Sequence, residues 1–407
     1  MKKSLARIEI DTWPIVTRLY LSIAGAFMNY RVLKRAQEEL LDQIIDTEDY
    51  IRKLRGRRKE INHESKGLLK RKGLDSRSKK RLKRLEEMQR LNREKEGLLK
   101  ERLMLVRRLG DTIAWYAYGF NRRAILNLSR TDRKPPWITG RTTLDMERRI
   151  VDAINDKGDD HFALMHDLTH CLNIGDFTIF SPEGHYVVEL KTHRGRKRPI
   201  RKDARIRRQE TLLQQLRDYE VRGESEELVP GYLAKGLYSR EPDKYEWALM
   251  EKLLKQAMLD GYAVESLEGI LAYAAFDPDL CEEVIERVVP LVHEEGQTLT
   301  FRSLDGHKQA STAHLLPLFA FEIHPSLVLD LISGNMAFMI FLNIDRLFTK
   351  LRESGARVSR GVAGQGADLG ISDEFVDRIL LEGLSLDTFI GQSVEAQRLA
   401  DELRASQ

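Results

Sequence analysis

Apolar residues recur along the first third of the chain at helical spacing. Leu40, Leu41, Ile44, Ile45, Ile51 and Leu54 fall three, four or seven positions apart, as one face of a helix requires. The pattern fades at Gly67 and Gly73. Asp75 and Ser76 then offer N-caps for a second periodic run through Leu82, Leu85, Leu91, Leu98, Leu99, Leu103 and Val106. No proline falls between Pro14 and Pro135. Residues 31–120 therefore predict two long antiparallel arms, a helical hairpin or coiled coil turned near 62–76.

Pro135-Pro136 and Gly140 interrupt this pattern, and Thr143 predicts the cap of a helix through Glu147, Ile150 and Ile154 that ends near Gly158. The period then shortens. Phe162–Met165, Cys171–Ile174, Phe177–Phe180 and Tyr186–Leu190 are short runs bounded by turn residues and predict strands, with Pro182-Glu183-Gly184 as a hairpin turn. A helix over 204–221 and a linker over 223–230 follow. Residues 240–295 read as helical. The remainder predicts a strand at Met336–Leu342, a helix at Ile344–Glu353, a glycine-rich loop over 361–370 and two closing helices. That loop lacks the GK[ST] of a P-loop, so no ATP site is expected.

These elements predict an α/β core, a mixed sheet flanked by helices, with a long N-terminal helical hairpin and a C-terminal α+β domain. The division expected is an N-terminal segment over 1–30, the hairpin over 31–120, the α/β core domain over 121–230 and a mostly helical domain over 231–407.

Composition narrows the class. Cys171 and Cys281 are the two cysteines and form no CxxC pair, which argues against a disulfide scaffold or zinc ribbon and fits a reducing cytoplasm. Glu9 and Asp11 break any signal-peptide core, and the apolar run Met336–Leu342 is about a third of the ~20 residues a membrane span needs. A soluble cytoplasmic protein without a membrane partner is expected. The net charge of +4 conceals strong segregation. Residues 31–110 hold 26 Lys and Arg against 14 Asp and Glu, whereas residues 261–300 hold nine acidic residues and one basic, Arg287. The hairpin reads either as a solvated coiled-coil surface or as a basic arm along a phosphate backbone. The cluster Arg52, Lys53, Arg55, Arg57, Arg58 and Lys59, with Arg71, Lys72, Arg77, Lys79, Lys80 and Arg81 after the turn, favours the second reading at the tip. The same hairpin offers a surface for a second copy or a partner protein.

The chemistry concentrates between Asn173 and Thr192. Asp176 opens one predicted strand, and Glu189 and Lys191 close its hairpin partner. Residues two apart on a strand share a face, so Glu189 and Lys191 point together while Val188 and Leu190 face the core. Antiparallel pairing brings Asp176 beside Glu189. Two converging carboxylates make a hard oxygen site suited to Mg²⁺ or Mn²⁺, to which the Leu190 carbonyl can add a ligand. Such a metal polarises a phosphate oxygen and helps generate hydroxide, and Lys191 can hold the water or stabilise developing charge. Asp132-Arg-Lys134 and Glu64-Ser-Lys66 also match [DE]xK, but neither has an upstream strand-borne Asp.

This pattern resembles the PD-(D/E)XK nuclease superfamily over about residues 140–222. Asp176, preceded by Gly175, matches the first acidic position, and Glu189-Leu190-Lys191 matches the (D/E)XK element; Ile174 stands where the family's proline would. Glu147 occupies the place of an acidic residue that the family's first helix often turns toward the metal. Gln209 lies 18 residues beyond Lys191, and Gln215-Leu-Arg-Asp-Tyr219 matches the QxxxY element of RecB-like members. The resemblance implies a Mg²⁺- or Mn²⁺-dependent endo- or exonuclease, with DNA favoured over RNA and a prokaryotic defence or restriction role. It implies metal contacts from Glu147, Asp176, Glu189 and Leu190, and catalytic roles for Asp176, Glu189, Lys191, Gln209, Gln215 and Tyr219. The other reading is a coiled-coil nucleic-acid-binding or assembly protein with an inactive nuclease fold.

Residues 191–208 hold ten basic residues and one acidic, Asp203. Directly after the motif, Arg194, Arg196, Lys197, Arg198, Arg201, Lys202, Arg205 and Arg208 read as a phosphate-tracking loop and helix start. His166, Asp167 and His170 look like a metal grouping. On a strand, however, Asp167 points away from the two histidines, so a polar strand or turn is expected, with His170 near the site. Trp115, Tyr116, Tyr118 and Phe120 are expected to pack against the nuclease core rather than to stack on bases.

Overall fold

The computed structural model describes residues 2–70, 75–129, 136–190, 243–308, 315–360, 369–371 and 373–405. The chain divides into two compact units, Met1–Phe120 with Asp132–Gly195, and Asn121–Thr131 with Arg196–Gln407. No described helix is long and apolar enough to cross a membrane. The chain mixes helix and sheet, with a long helical N-terminal region, two small antiparallel sheets and helices through the C-terminal part.

The first unit begins with α1 (Lys2–Ile23) and the expected hairpin, α2 (Tyr30–Leu69) and α3 (Ser76–Ala117). Asn29 caps α2 by accepting from the Val32 amide, and Asp75 caps α3 by accepting from the Ser78 amide at 2.7 Å. The two arms differ along their length. Toward the tip, Ile51, Leu54 and Leu99 form a narrow seam, joined by Leu103. At the base, every residue of α3 from Leu105 to Ala117 is buried. A helix buried all round is part of a core, so the hairpin base is the interior of this unit.

Against that base stand α4 of the sheet layer, defined as Leu144–Asn155, and the strands β1 (Phe162–Met165), β2 (Phe177–Ser181) and β3 (Gly184–Val188), ordered β1-β2-β3 and wholly antiparallel. The mixed sheet expected from sequence is, among the described residues, this three-stranded antiparallel one. Cys171–Ile174, read as a strand, is irregular. Its Cys171 and Leu172 amides are taken by the Asp111 carboxylate and the Thr169 hydroxyl rather than by a neighbouring strand. Thr143 occupies the N-cap position of α4 but makes no side-chain cap bond.

The outer edge of β1 is closed by side chains. Asn155 accepts from the Ala163 amide at 2.8 Å. Gln37 of α2 donates to the Ala163 carbonyl at 2.8 Å and accepts from the Met165 amide at 2.9 Å. A buried Gln thus reproduces the bonds a further strand would make, which protects the edge. Of the aromatic residues expected to pack on the core, Tyr118 meets Phe180 of β2 edge-on at 4.8 Å, whereas Tyr116 and Phe120 pack against Phe27 after α1, and Trp115 is buried in α3.

The second unit holds α5 (Trp247–Asp260), β4 (Tyr262–Leu267), β5 (Leu271–Phe276), α6 (Cys281–Val292), β6 (Leu299–Ser303), α7 (Pro325–Ser333), β7 (Ala337–Asn343) and α8 (Ile344–Glu353), then β8 (Val358–Arg360), β9 (Leu369–Ile371), α9 (Asp373–Glu382) and α10 (Leu386–Ala405). Its main sheet runs β4-β5-β7-β6, all antiparallel. The stretch read as helical over 240–295 holds two helices, α5 and α6, with the strands β4 and β5 between them. Leu271–Phe276 is buried at every position, and a short apolar run buried on both faces carries no period to separate strand from helix. Ala272, Ala274 and Phe276 pack with Val284, Val288 and Val292 of α6 and with Met339 and Phe341 of β7. The expected strand near 336–342, helix Ile344–Glu353 and two closing helices are all present. Most of the glycine-rich loop, 361–368, lies outside the described residues, as do the 204–221 helix and the 223–230 linker.

Gly110 is where α3 meets the β1–β2 connection most closely: a Cβ there would stand 2.1 Å from the Leu168 carbonyl oxygen. Gly110→Ala should therefore destabilise the chain by about 1–3 kcal/mol, because backbone must move to admit the methyl. Gly97, on the same helix with nothing within 4 Å, is the control: Gly97→Ala should raise stability by up to about 1 kcal/mol. Thermal unfolding of both variants checks the contrast.

Candidate active site

The strand register places Asp176 where the sequence pattern requires it. Phe177 pairs with Val188, so the next residues outward are Asp176 and Glu189. The Asp176 amide donates to the Val188 carbonyl at 2.8 Å, which extends the ladder by one bond beyond β2. Its carboxylate accepts from the Leu190 amide at 2.6 Å. Gly175 makes the approach possible. Its φ is +78°, and a Cβ there would lie 2.6 Å from Val187 Cγ1 and 3.1 Å from the Val188 carbonyl oxygen.

The acidic residues close on an arginine. Arg141, in the segment before α4, donates from Nη2 to Glu147 Oε1 at 2.7 Å. The same nitrogen stands 3.9 Å from Asp176 Oδ1, and Nη1 pairs with Asp167 Oδ2. Glu147 is buried on α4 with 2% of its surface exposed. Asp167 reaches the group because His166–Leu168 is a 3-10 turn rather than a continuation of β1, which swings its side chain toward Arg141. Carboxylates from a helix, a turn and a strand start thus share one guanidinium.

Two further buried carboxylates, both on the hairpin, hold the loops that carry this group. Glu48 of α2 accepts from the amides of Ile138 and Thr139, each at 2.9 Å, and from Arg107 Nη2 at 2.9 Å. Arg107 also donates to the Pro136 carbonyl at 2.9 Å. This fixes the segment running into Arg141. Asp111 of α3, fully buried beside Arg108, accepts from the amides of His170 at 2.6 Å and Cys171 at 2.9 Å. This fixes the connection from Asp167 to Asp176. Lys34 completes the frame by donating to the carbonyls of Asn155 at 2.6 Å and Gly158 at 2.5 Å, beyond the end of α4.

Beneath the cluster, Tyr118 Oη lies 2.8 Å from Thr178 Oγ1, which lies 2.7 Å from His166 Nε2. Burial lowers the His166 imidazole from its ordinary 6.5 to about 4. Burial also lowers His170 to about 4, with Asp111 acting against the shift. Both rings are neutral at neutral pH.

Of the residues expected to form the site, Glu147 and Asp176 come together through Arg141. Glu189 is half-buried at the end of β3, beside Asp176 in register. Leu190 meets Asp176 through its amide, not through the carbonyl expected as a metal ligand. Lys191, Gln209, Gln215, Tyr219 and the basic residues Arg194, Arg196, Lys197, Arg198, Arg201, Lys202, Arg205 and Arg208 lie outside the described residues. Arg141 and Asp167 were missed. The sequence signal for Arg141 is faint, a lone cation between Gly140 and the helix start, and a strand reading turned Asp167 away. Among the described residues, no group of three or more His, Cys, Asp or Glu side chains is gathered closely enough to hold a metal ion. The carboxylates surround a guanidinium rather than one another, yet as an all-oxygen donor set they fit Mg²⁺ or Mn²⁺ in kind.

The buried histidines set a pH dependence. Unfolded imidazoles take up protons as pH falls through 6.5, whereas His166 and His170 in the folded chain do so only near 4. Their stabilisation is complete above pH 6.5 and is lost as pH falls toward 4, by about 3 kcal/mol each. Thermal unfolding followed from about pH 7 to about pH 4.5 should show the loss, and His166→Gln with His170→Gln should flatten it.

Compared with known proteins, the chain matches no family model, no curated protein and no solved structure.

Proposed function

We propose that the chain is a metal-dependent nuclease that hydrolyses nucleic-acid phosphodiester bonds, DNA before RNA. The observation that carries this reading is the order α4-β1-β2-β3 with Asp176 opposite Glu189 at the open end of the β2–β3 hairpin and Glu147 on the preceding helix. That order agrees with the PD-(D/E)XK resemblance of the sequence, and the same resemblance supports a prokaryotic defence or restriction role.

In this reading Asp176, Glu189 and Glu147 would hold the metal. A divalent cation held there would supply a Lewis acid for the scissile phosphate and lower the pKa of the attacking water. Arg141, if displaced from the carboxylates, would offer planar bidentate donors to the negative charge developing on the phosphate. Lys191, two residues after Glu189, orients the water. The Leu190 amide keeps the Asp176 carboxylate in place, so that its other oxygen faces the site.

One observation favours a second reading. Arg141 already offsets the acidic cluster, as it would in a purely structural ion-pair group of an inactive nuclease fold. Plasmid and RNA incubated with Mg²⁺ separate the two. Asp176→Asn and Glu189→Gln should each lower cleavage at least ~100-fold with the fold intact. Wild-type protein that never cleaves with Mg²⁺ or Mn²⁺ leaves the binding-protein reading in force.

Arg141→Gln reports on the cluster itself. Removing the guanidinium leaves buried Glu147 and half-buried Asp167 and Asp176 without a counter-ion, so the thermal midpoint should fall in chelator. Added Mg²⁺ should then raise it by more than in wild type, because binding to the folded state alone stabilises by mass action. An equal response in both proteins would count against metal binding at these carboxylates.

A further inference from the structure

The charge of the hairpin is confined to its outer part. Residues 52–95 hold 19 Lys and Arg against six Asp and Glu, whereas residues 31–51 and 96–110 together hold seven against eight. The structure deepens that asymmetry. Glu64 is paired with Arg81 at 2.7 Å and Glu94 with Arg90 at 2.7 Å, so acidic side chains of the arm are already engaged within it. Lys59, Lys66, Arg77, Lys79, Lys83 and Arg84 are exposed, and none forms an ion pair among the described residues. Massed like charge on a narrow helix pair destabilises it unless something offsets that charge.

The basic stretch also starts beside the candidate site. Arg52 donates to Thr139 Oγ1, and its guanidinium lies against Gly140, the residue before Arg141. Arg55 sits 4.7 Å above the ring of Trp137, which is 37% exposed. Arg52, Arg55 and Arg58, paired with Asp49 and Glu96, thus link the loop before Arg141 to the exposed cations farther out along α2. From residue 52 to residue 69 that helix extends about 27 Å, the axial length of about eight base pairs.

We infer that the outer hairpin is a phosphate-tracking arm that lies along a nucleic-acid duplex leading into the carboxylate site. The inference rests on the nuclease reading only in calling that duplex a substrate. An anionic membrane fits the arm less well. A helix lying in a bilayer interface turns a broad apolar face outward, whereas Ile51, Leu54, Ile61, Leu85, Leu91 and Leu99 are buried in the seam.

The test replaces Arg77, Lys80, Lys83 and Arg84 together by Gln in the full chain, with circular dichroism to confirm helix content. Binding to a labelled duplex of about 20 base pairs is measured by fluorescence anisotropy in EDTA, across salt from about 50 to about 200 mM. The expected result is a loss of at least ~10-fold in affinity at low salt and a slope of log K against log salt shallower by about 3. Unchanged affinity and slope overturn the inference. So does wild-type protein that binds anionic phosphatidylserine vesicles but not duplex. Because binding is read without metal, a chain that binds through the arm and never cleaves supports the arm and sinks the nuclease reading.

Discussion

The first unit depends on buried carboxylates that bind backbone rather than substrate. Glu48 and Asp111 lie on the two arms of the hairpin, and each accepts amide hydrogens from a loop that has no strand to pair with. Each is also matched by an arginine on α3, Arg107 for Glu48 and Arg108 for Asp111. A buried charge without such partners would be prohibitive; with them, the ion pair fixes a backbone path. These two paths bring Arg141 from one side and Asp167 and Asp176 from the other. The hairpin base thus acts as the scaffold of the site, and close packing at Gly110 sets how near it comes.

That arrangement explains how the acidic residues can converge. Glu147, Asp167 and Asp176 would repel one another in a partly dry environment, and Arg141 offsets the repulsion. The same guanidinium makes the proposed chemistry conditional, since a divalent cation must take its place among the carboxylates. A site assembled around an internal counter-ion needs little rearrangement of backbone when that ion is exchanged. The supporting side chains Gln37, Glu48 and Asp111 all belong to the hairpin.

Much of this was legible in the sequence because local periodicity and long-range packing agree. The hairpin arms, the helix bearing Glu147, the β2–β3 turn and the strand-helix pair at 337–353 all carry clear periods or turn residues. Asp176 and Glu189 could be placed in register because Pro182-Glu183-Gly184 fixes the turn. The misses fall where tertiary contacts decide. Leu271–Phe276 is a strand only because its partners β4 and β7 lie on both sides. Cys171–Ile174 has strand-like composition, but Asp111 draws the His170 and Cys171 amides onto α3. Asp167 joins the cluster through a single 3-10 turn that no residue pattern announces, and Arg141 has meaning only once three distant carboxylates are seen around it.

In the proposed function these carboxylates would hold a divalent metal, and Arg141 occupies the place among them that the metal would take. Anomalous diffraction from crystals of the full chain soaked in Mn²⁺ tests it most directly. The account predicts an anomalous peak bound by Asp176, Glu147 and Glu189, with the Arg141 side chain moved out of the cluster. A structure at saturating Mn²⁺ in which Arg141 keeps its pairs with Glu147 and Asp167, and no peak lies among these residues, would contradict it.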